Sequence, residues 1–164
     1  MKERGVLKKR LALLAGVLLI GLVGGVAAQA ALLRSAPVSK FDGVNEIVER
    51  CTTSSNFVQM PQMTRTFTLG GSINDEVLVT FTGAVSLGTG GGAFDTGFVR
   101  LIIDGAQQGP GEIPLIGAGD RGSQGFTWQS KLLTPGSHTA RVQWRTDLHS
   151  QFCADARSLT VLHK

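Results

Sequence analysis

From residue 44 onward, apolar and polar positions alternate with a period of two, and glycine-rich turns interrupt the pattern. That period belongs to strands with one buried face, not to helices. Thr64 to Leu69 sets Arg65, Phe67 and Leu69 against three threonines, and Glu76 to Leu87 sets Val77, Val79 and Phe81 against Leu78, Thr80 and Thr82. Phe98 to Ile103 (FVRLII) is a more continuous apolar run, as expected of a strand buried on both sides or near the sandwich centre. Gly125 to Lys131 places Phe126 with Trp128. Ser137 to Arg145 places His138, Ala140, Val142 and Trp144 on one face, and Ala156 to His163 does the same with Arg157, Leu159, Val161 and His163. Asn56 to Met60 adds a short strand. Val44 to Cys51 suits either a helix face or a strand, and its β-branching favours the strand.

The breaks carry turn chemistry: Gly70-Gly71-Ser72, Gly88 to Gly92, the long stretch Gly105 to Gly125, and Pro135-Gly136. Seven or eight strands at this spacing predict an all-β, antiparallel β-sandwich over residues 44–164. The 105–125 connection is long for a compact domain, and such loops concentrate function and motion.

The N-terminus reads differently. Met1 to Arg10 is basic, and Leu11 to Leu33 carries no charge; its aliphatic front half thins into GGVAAQA. Ala28-Gln29-Ala30 fits the small-x-small rule, so residues 1–30 are expected to be a signal peptide cleaved between Ala30 and Ala31, with 31–43 as a tether. The alternative is an uncleaved anchor, since about 20 apolar residues span a bilayer. The positive flank leaves the domain outside the cytoplasm in both readings, secreted or periplasmic in one and held by a single pass in the other.

Charge then excludes one class of partner. The net charge is +4, but five of the 16 basic residues and one of the 12 acidic ones lie in residues 1–30, leaving eleven of each. A neutral domain has no electrostatic footprint for nucleic acid. The only cysteines, Cys51 and Cys153, both lie in the exported part. A disulfide is the default for such a pair in an oxidising compartment, and neither has a second ligand at zinc spacing.

No metal or cofactor is expected. His138, His149 and His163 are scattered, there is no Gly-x-Ser-x-Gly elbow, and the Gly88–Gly92 cluster lacks the Lys-Ser/Thr of a phosphate loop. Asp75-Glu76 and Asp120 lie outside any calcium-loop pattern. Asp95, Asp104, Glu112 and Asp120 flank the long connection, and a glycosidase would need two of them to face each other across a cleft. Trp128 and Trp144 share faces with apolar residues and read as core, and there is no tyrosine for a sugar-binding surface. Arg141 and Arg145 occupy the opposite face of their strand as contact candidates, beside Asp104, Glu112 and Asp120.

The segment LLTPGSHTARVQW followed by DARSLTVL resembles the last two strands of a group of exported bacterial β-sandwich proteins of unassigned function. NFVQMPQMTRTFTLGG with DEVLVTFTG is similar to the paired strands upstream. The likeness covers roughly residues 55–163. It implies a jelly-roll-like sandwich, in the style of complement-like globular heads, and carries over no catalytic motif. The expected function is therefore a non-enzymatic extracytoplasmic module acting by binding or structural association, with an extracellular protein or glycan as partner. Membrane contact is expected only through an uncleaved N-terminal segment. The alternatives are a small secreted hydrolase built on the carboxylates around 95–120, and a trimer-forming jelly-roll head that works as a homo-oligomer.

Overall fold

A computed structural model describes residues 40–88 and 94–164. The expected signal segment with its Ala30–Ala31 junction, residues 31–39, and most of the Gly88–Gly92 cluster lie outside the described residues. What is described is all-β: ten strands in two antiparallel sheets packed face to face. The strands are β1 (Lys40–Glu46), β2 (Arg50–Thr52), β3 (Val58–Leu69), β4 (Leu78–Leu87), β5 (Thr96–Ile103), β6 (Ala106–Gln107), β7 (Ile113–Gly117), β8 (Arg121–Gln129), β9 (Gly136–Thr146) and β10 (Phe152–His163).

Sheet A runs β1-β10-β4-β8, with β2 following β1 along the same edge of β10. Sheet B runs β3-β9-β5-β6, with β7 sharing the β6 edge of β5. Most consecutive strands cross from one sheet to the other, the interleaving of a jelly-roll-like sandwich.

The alternating residues meet between the sheets as anticipated. Val77, Val79, Phe81, Leu159 and Val161 come from sheet A. Phe67, Val99, Leu101, Ala140 and Val142 come from sheet B. Trp128 is fully buried and Trp144 is 1% exposed, so both tryptophans are core. Full burial of each large apolar side chain contributes about 1.5–3 kcal/mol.

Several expectations are corrected. β1 opens at Lys40, inside the supposed tether, because Lys40 to Glu46 pairs in register with His163 to Arg157. Val44 to Cys51 is not one strand: residues 47–49 separate β1 from β2. Asn56–Met60 and Thr64–Leu69 are one strand, β3, broken by a register shift between Gln59 and Thr64. β5 alternates over its first part, with Phe98 and Arg100 half-exposed, and buries both faces only at Leu101, Ile102 and Ile103. The 105–125 stretch is not a long loop, since it holds β6, β7 and the start of β8. The free edge of β5 recruits Ile113–Gly117, and this carries Leu115 and Ile116 into the core. Their glycine- and proline-rich flanks hide that strand from a periodicity test.

Cys51 and Cys153 face each other in the β2–β10 register and form the disulfide, with Cα atoms 4.0 Å apart. Both lie within strands rather than at their edges.

Candidate functional site

Four of the five residues singled out as surface contacts lie on or beside sheet B, where the structure pairs three of them internally. Arg145 is half-buried on the outer face of β9. Its Nη2 donates to Glu112 Oε2 at 2.9 Å and its Nη1 donates to Asp147 Oδ1. The guanidinium lies 4.2 Å above the Phe98 ring and 5.3 Å from Phe57, and Arg100 covers Phe57 at 4.1 Å. Arg100 is held in turn by Gln143 and Gln107. Two guanidinium groups thus lie against two phenyl rings, each also hydrogen-bonded within the chain. Arg145 is thus engaged within the chain, whereas Arg141 is exposed on the same face.

The acidic residues do not gather either. Asp104 accepts from His138 Nδ1 at 2.6 Å and from the Thr139 N–H. Burial raises its carboxyl, but the His138 and Thr139 bonds together with the charges of His138 and Arg141 outweigh this, and the net shift is downward. Asp95 is 1% exposed and accepts from the N–H groups of Thr96, Asp147, Leu148 and Ser150. Burial pushes its pKa up, yet the bonds from Ser150, Leu148 and Thr96 hold it at about 2. Asp95 pins the connection between β9 and β10 and stays ionised. Asp120 is exposed in the turn between β7 and β8. Asp75 pairs with Lys164, and Glu76 accepts from Gln129. His138 donates its second nitrogen to the Thr134 carbonyl, the packed and bonded role expected for a strand histidine. Among the described residues, Glu49, Cys51 and Cys153 make one metal-like grouping, but its sulfurs are joined as the disulfide.

The available polar chemistry is on the outer face of sheet A. Asn45, Ser158, Thr82 and Gly125 stand in one cross-strand row over β1, β10, β4 and β8. At this row and beyond it, on β10, β4 and β8, the outward positions that line the trough carry glycine or short side chains. Ala84 pairs with Ser123, and Ala156 lies at the register shift of β10. A Cβ on Gly125 would sit 2.9 Å from the Phe81 carbonyl and from Thr82 Cγ2, so the floor there must be glycine. The result is a trough of about 580 Å³ that meets a second depression of about 240 Å³ at Ala84 and Ser123. With strands roughly 4.8 Å apart, the row spans about 14 Å.

The wall is the 46–49 connection, and its position is built in. Glu46 Oε1 accepts the Ile47 and Val48 N–H groups at 2.9 Å each. Those bonds, from Val48 and then Ile47, keep its carboxyl below the ordinary range. Arg157, 3% exposed, donates to the Val48 carbonyl at 2.8 Å and to the Ala154 and Asp155 carbonyls at 3.0 Å. It also reaches Pro61 in the interrupted part of β3 on the other sheet, at 3.2 Å. One buried guanidinium therefore ties the wall, the β10 irregularity and the facing sheet together, and burial lowers its pKa. Thr82 and Ser158 hydroxyls bond each other at 2.7 Å on the floor, and Glu49, Asp155 and Arg121 line the smaller depression. Ile47, 79% exposed, stands at the rim.

Sequence reasoning missed this site because it sought function in charged or aromatic residues. The available signal was negative: small residues at successive outward positions, Gly125, Ser123, Ala84 and Ala156, where a sheet would ordinarily carry larger side chains.

The fold is a jelly-roll-like β-sandwich with a shallow, open depression on the outer face of sheet A. No protein-family model and no curated protein sequence matches the chain. Among solved structures it is similar to the EclA C-terminal domain, described as a sugar-binding protein, with 12% identity over 74% of this chain and 79% of that one and a TM-score of 0.40. The CBM36-1 domain of a multidomain xylanase from the hindgut metagenome of Trinervitermes trinervoides shares 13% identity over 76% and 98%, with a TM-score of 0.40. The VP2 subviral particle of infectious bursal disease virus shares 8% over 76% and 32%, with a TM-score of 0.49. The sandwich stands on its own sheets and registers, independent of these likenesses.

Proposed function

We propose that the domain is a non-catalytic glycan-binding module that holds a chain of sugars in the trough of sheet A, in an extracytoplasmic setting. One observation carries the reading: a shallow floor of glycine and short side chains, spanning the four strands of sheet A and bordered by hydroxyl, amide and carboxylate groups. Ligand sites are concave, with a few oriented polar groups. A sugar chain needs many neutral hydrogen-bonding partners and a flat approach, and Thr82, Ser158, Asn45, Ser123 and Gln124 line such a surface. The exposed Ile47 offers an apolar edge to a ring's C–H face. The floor strands β10 and β4 are paired on both sides, so a peptide cannot add there as a further strand. Glu46 is held ionised by two N–H groups, which suits an acceptor and not a general acid.

A printed glycan array and affinity electrophoresis in soluble polysaccharides test this. Wild type is expected to bind at least one glycan class. Ala84→Leu and Ser123→Leu, which fill the trough from a half-buried and an exposed position, should each weaken that binding at least tenfold. Arg141→Ala on the other sheet should bind as wild type. Unaltered binding by the filled variants, or no binding to any glycan by the folded wild type, overturns the assignment.

A further inference from the structure

The end of the sandwich where the chain enters at Lys40 carries an unpartnered surface of mixed character. Phe41 is 69% exposed and continues across the outer face of sheet A through Leu162 to Leu78, which is 38% exposed. The two loops at this end add Ile73 at 75% and Leu132 at 64%. They are joined to each other: Asp75 pairs with Leu133 through reciprocal backbone hydrogen bonds. Beyond residue 39 the chain has three lysines, Lys40, Lys131 and Lys164, and all three sit here. Lys40 pairs with His163 in the sheet register, Lys164 bonds Asp75 at 3.3 Å, and Lys131 precedes Leu132. The acids nearby are engaged, Asp75 with Lys164 and Glu76 with Gln129.

We propose that this end is a membrane-contact surface that lays Phe41, Ile73 and Leu132 at the headgroup–acyl boundary of an anionic bilayer, with Lys40 and Lys131, the two lysines not paired to Asp75, on the lipid headgroups. Exposed apolar side chains ringed by lysine have the composition of an interfacial contact. The occupant follows from covalent connectivity. The uncharged run ends at Leu33, and only residues 34–39 intervene before Lys40, a reach of roughly 20 Å when extended. A domain held by that segment presents this end to the lipid surface while the segment remains attached. The trough row lies four residues further along the strands, about 13 Å away, so it stays open to solvent with the end docked.

The test is amide exchange on the protein as exported, with and without vesicles of phosphatidylcholine and phosphatidylglycerol. This readout stays informative for a chain that keeps its N-terminal segment, because that segment alone does not protect loops 70–77 and 130–135. Exchange in both loops should slow severalfold with anionic vesicles and less with phosphatidylcholine alone, while residues 46–49 and 147–151 stay unchanged. A Phe41→Ser, Ile73→Ser, Leu132→Ser variant should lose the slowing and keep the wild-type melting temperature and glycan binding. Unchanged exchange in these loops, equal slowing at the opposite end, or slowing that survives the triple variant overturns the proposal. Glycan binding is independent of all three outcomes.

Discussion

Replacing Asp95 with asparagine tests how the domain holds its β9–β10 connection. The carboxylate is 1% exposed and accepts four backbone N–H groups at 2.7 to 3.0 Å. Its pKa is held at about 2 against an ordinary 3.8. At about 1.4 kcal/mol per pH unit, that depression corresponds to about 2.5 kcal/mol of folding stability. The folded value lies below the unfolded one, so the contribution is complete above pH 4 and is lost as pH falls through 2. Asparagine removes the charge and turns an N–H donor toward backbone donors, which costs a further ~1 kcal/mol for an unmatched buried group. Urea unfolding should therefore show Asp95→Asn less stable by about 3.5 kcal/mol at pH 7, with the gap narrowing to between about 1 and 1.5 kcal/mol near pH 2. A loss under 0.5 kcal/mol at neutral pH, or a gap independent of pH, would refute the view that ionised Asp95 organises this turn.

The disulfide joins residues 102 positions apart, and closing a loop of that size contributes about 4.7 kcal/mol in the chain-entropy account. Reduction should lower the melting temperature by more than ~10 °C, and an unchanged melt would assign the stability elsewhere. Burial lowers the His138 pKa, but the bonds to Asp104 and Thr134 outweigh it and the net shift is upward. Stability from this pair is thus complete below the unfolded value and lost as pH rises through the folded one. The His138 ring proton should titrate above 6.5 in NMR, and Asp104→Asn should bring it down; a midpoint at or below 6.5 in the wild type contradicts the pairing. Exported protein is expected to begin at Ala31, and a mass retaining Met1 to Ala30 would favour the membrane anchor instead.

Alternation made the long strands legible. Phe67, Val79, Trp128, Val142, Trp144 and Leu159 all point inward as their period requires, because a pleated strand forces successive side chains to opposite faces. The pattern failed where local chemistry and tertiary need diverge. Ile113 to Gly117 sits among glycines and prolines and is a strand because the edge of β5 demands hydrogen-bond partners. Arg145 and Glu112 were singled out separately as surface charges, and folding spends them on each other.

From the chain alone come the two-sheet core, the pairing of its only two cysteines, the absence of a charge footprint for nucleic acid, and the export-like N-terminal pattern. Each is a local or compositional property: a period, a count or a run of one residue type. Tertiary structure alone decided which strands are neighbours, and therefore that Gly125, Ala84 and Ala156, distant in sequence, lie side by side as a trough floor. It also decided that Arg157 braces the wall of that trough through carbonyls on both sheets. A concavity arises from side chains that are missing at positions brought together by register, and register depends on non-local hydrogen bonding that no single strand encodes.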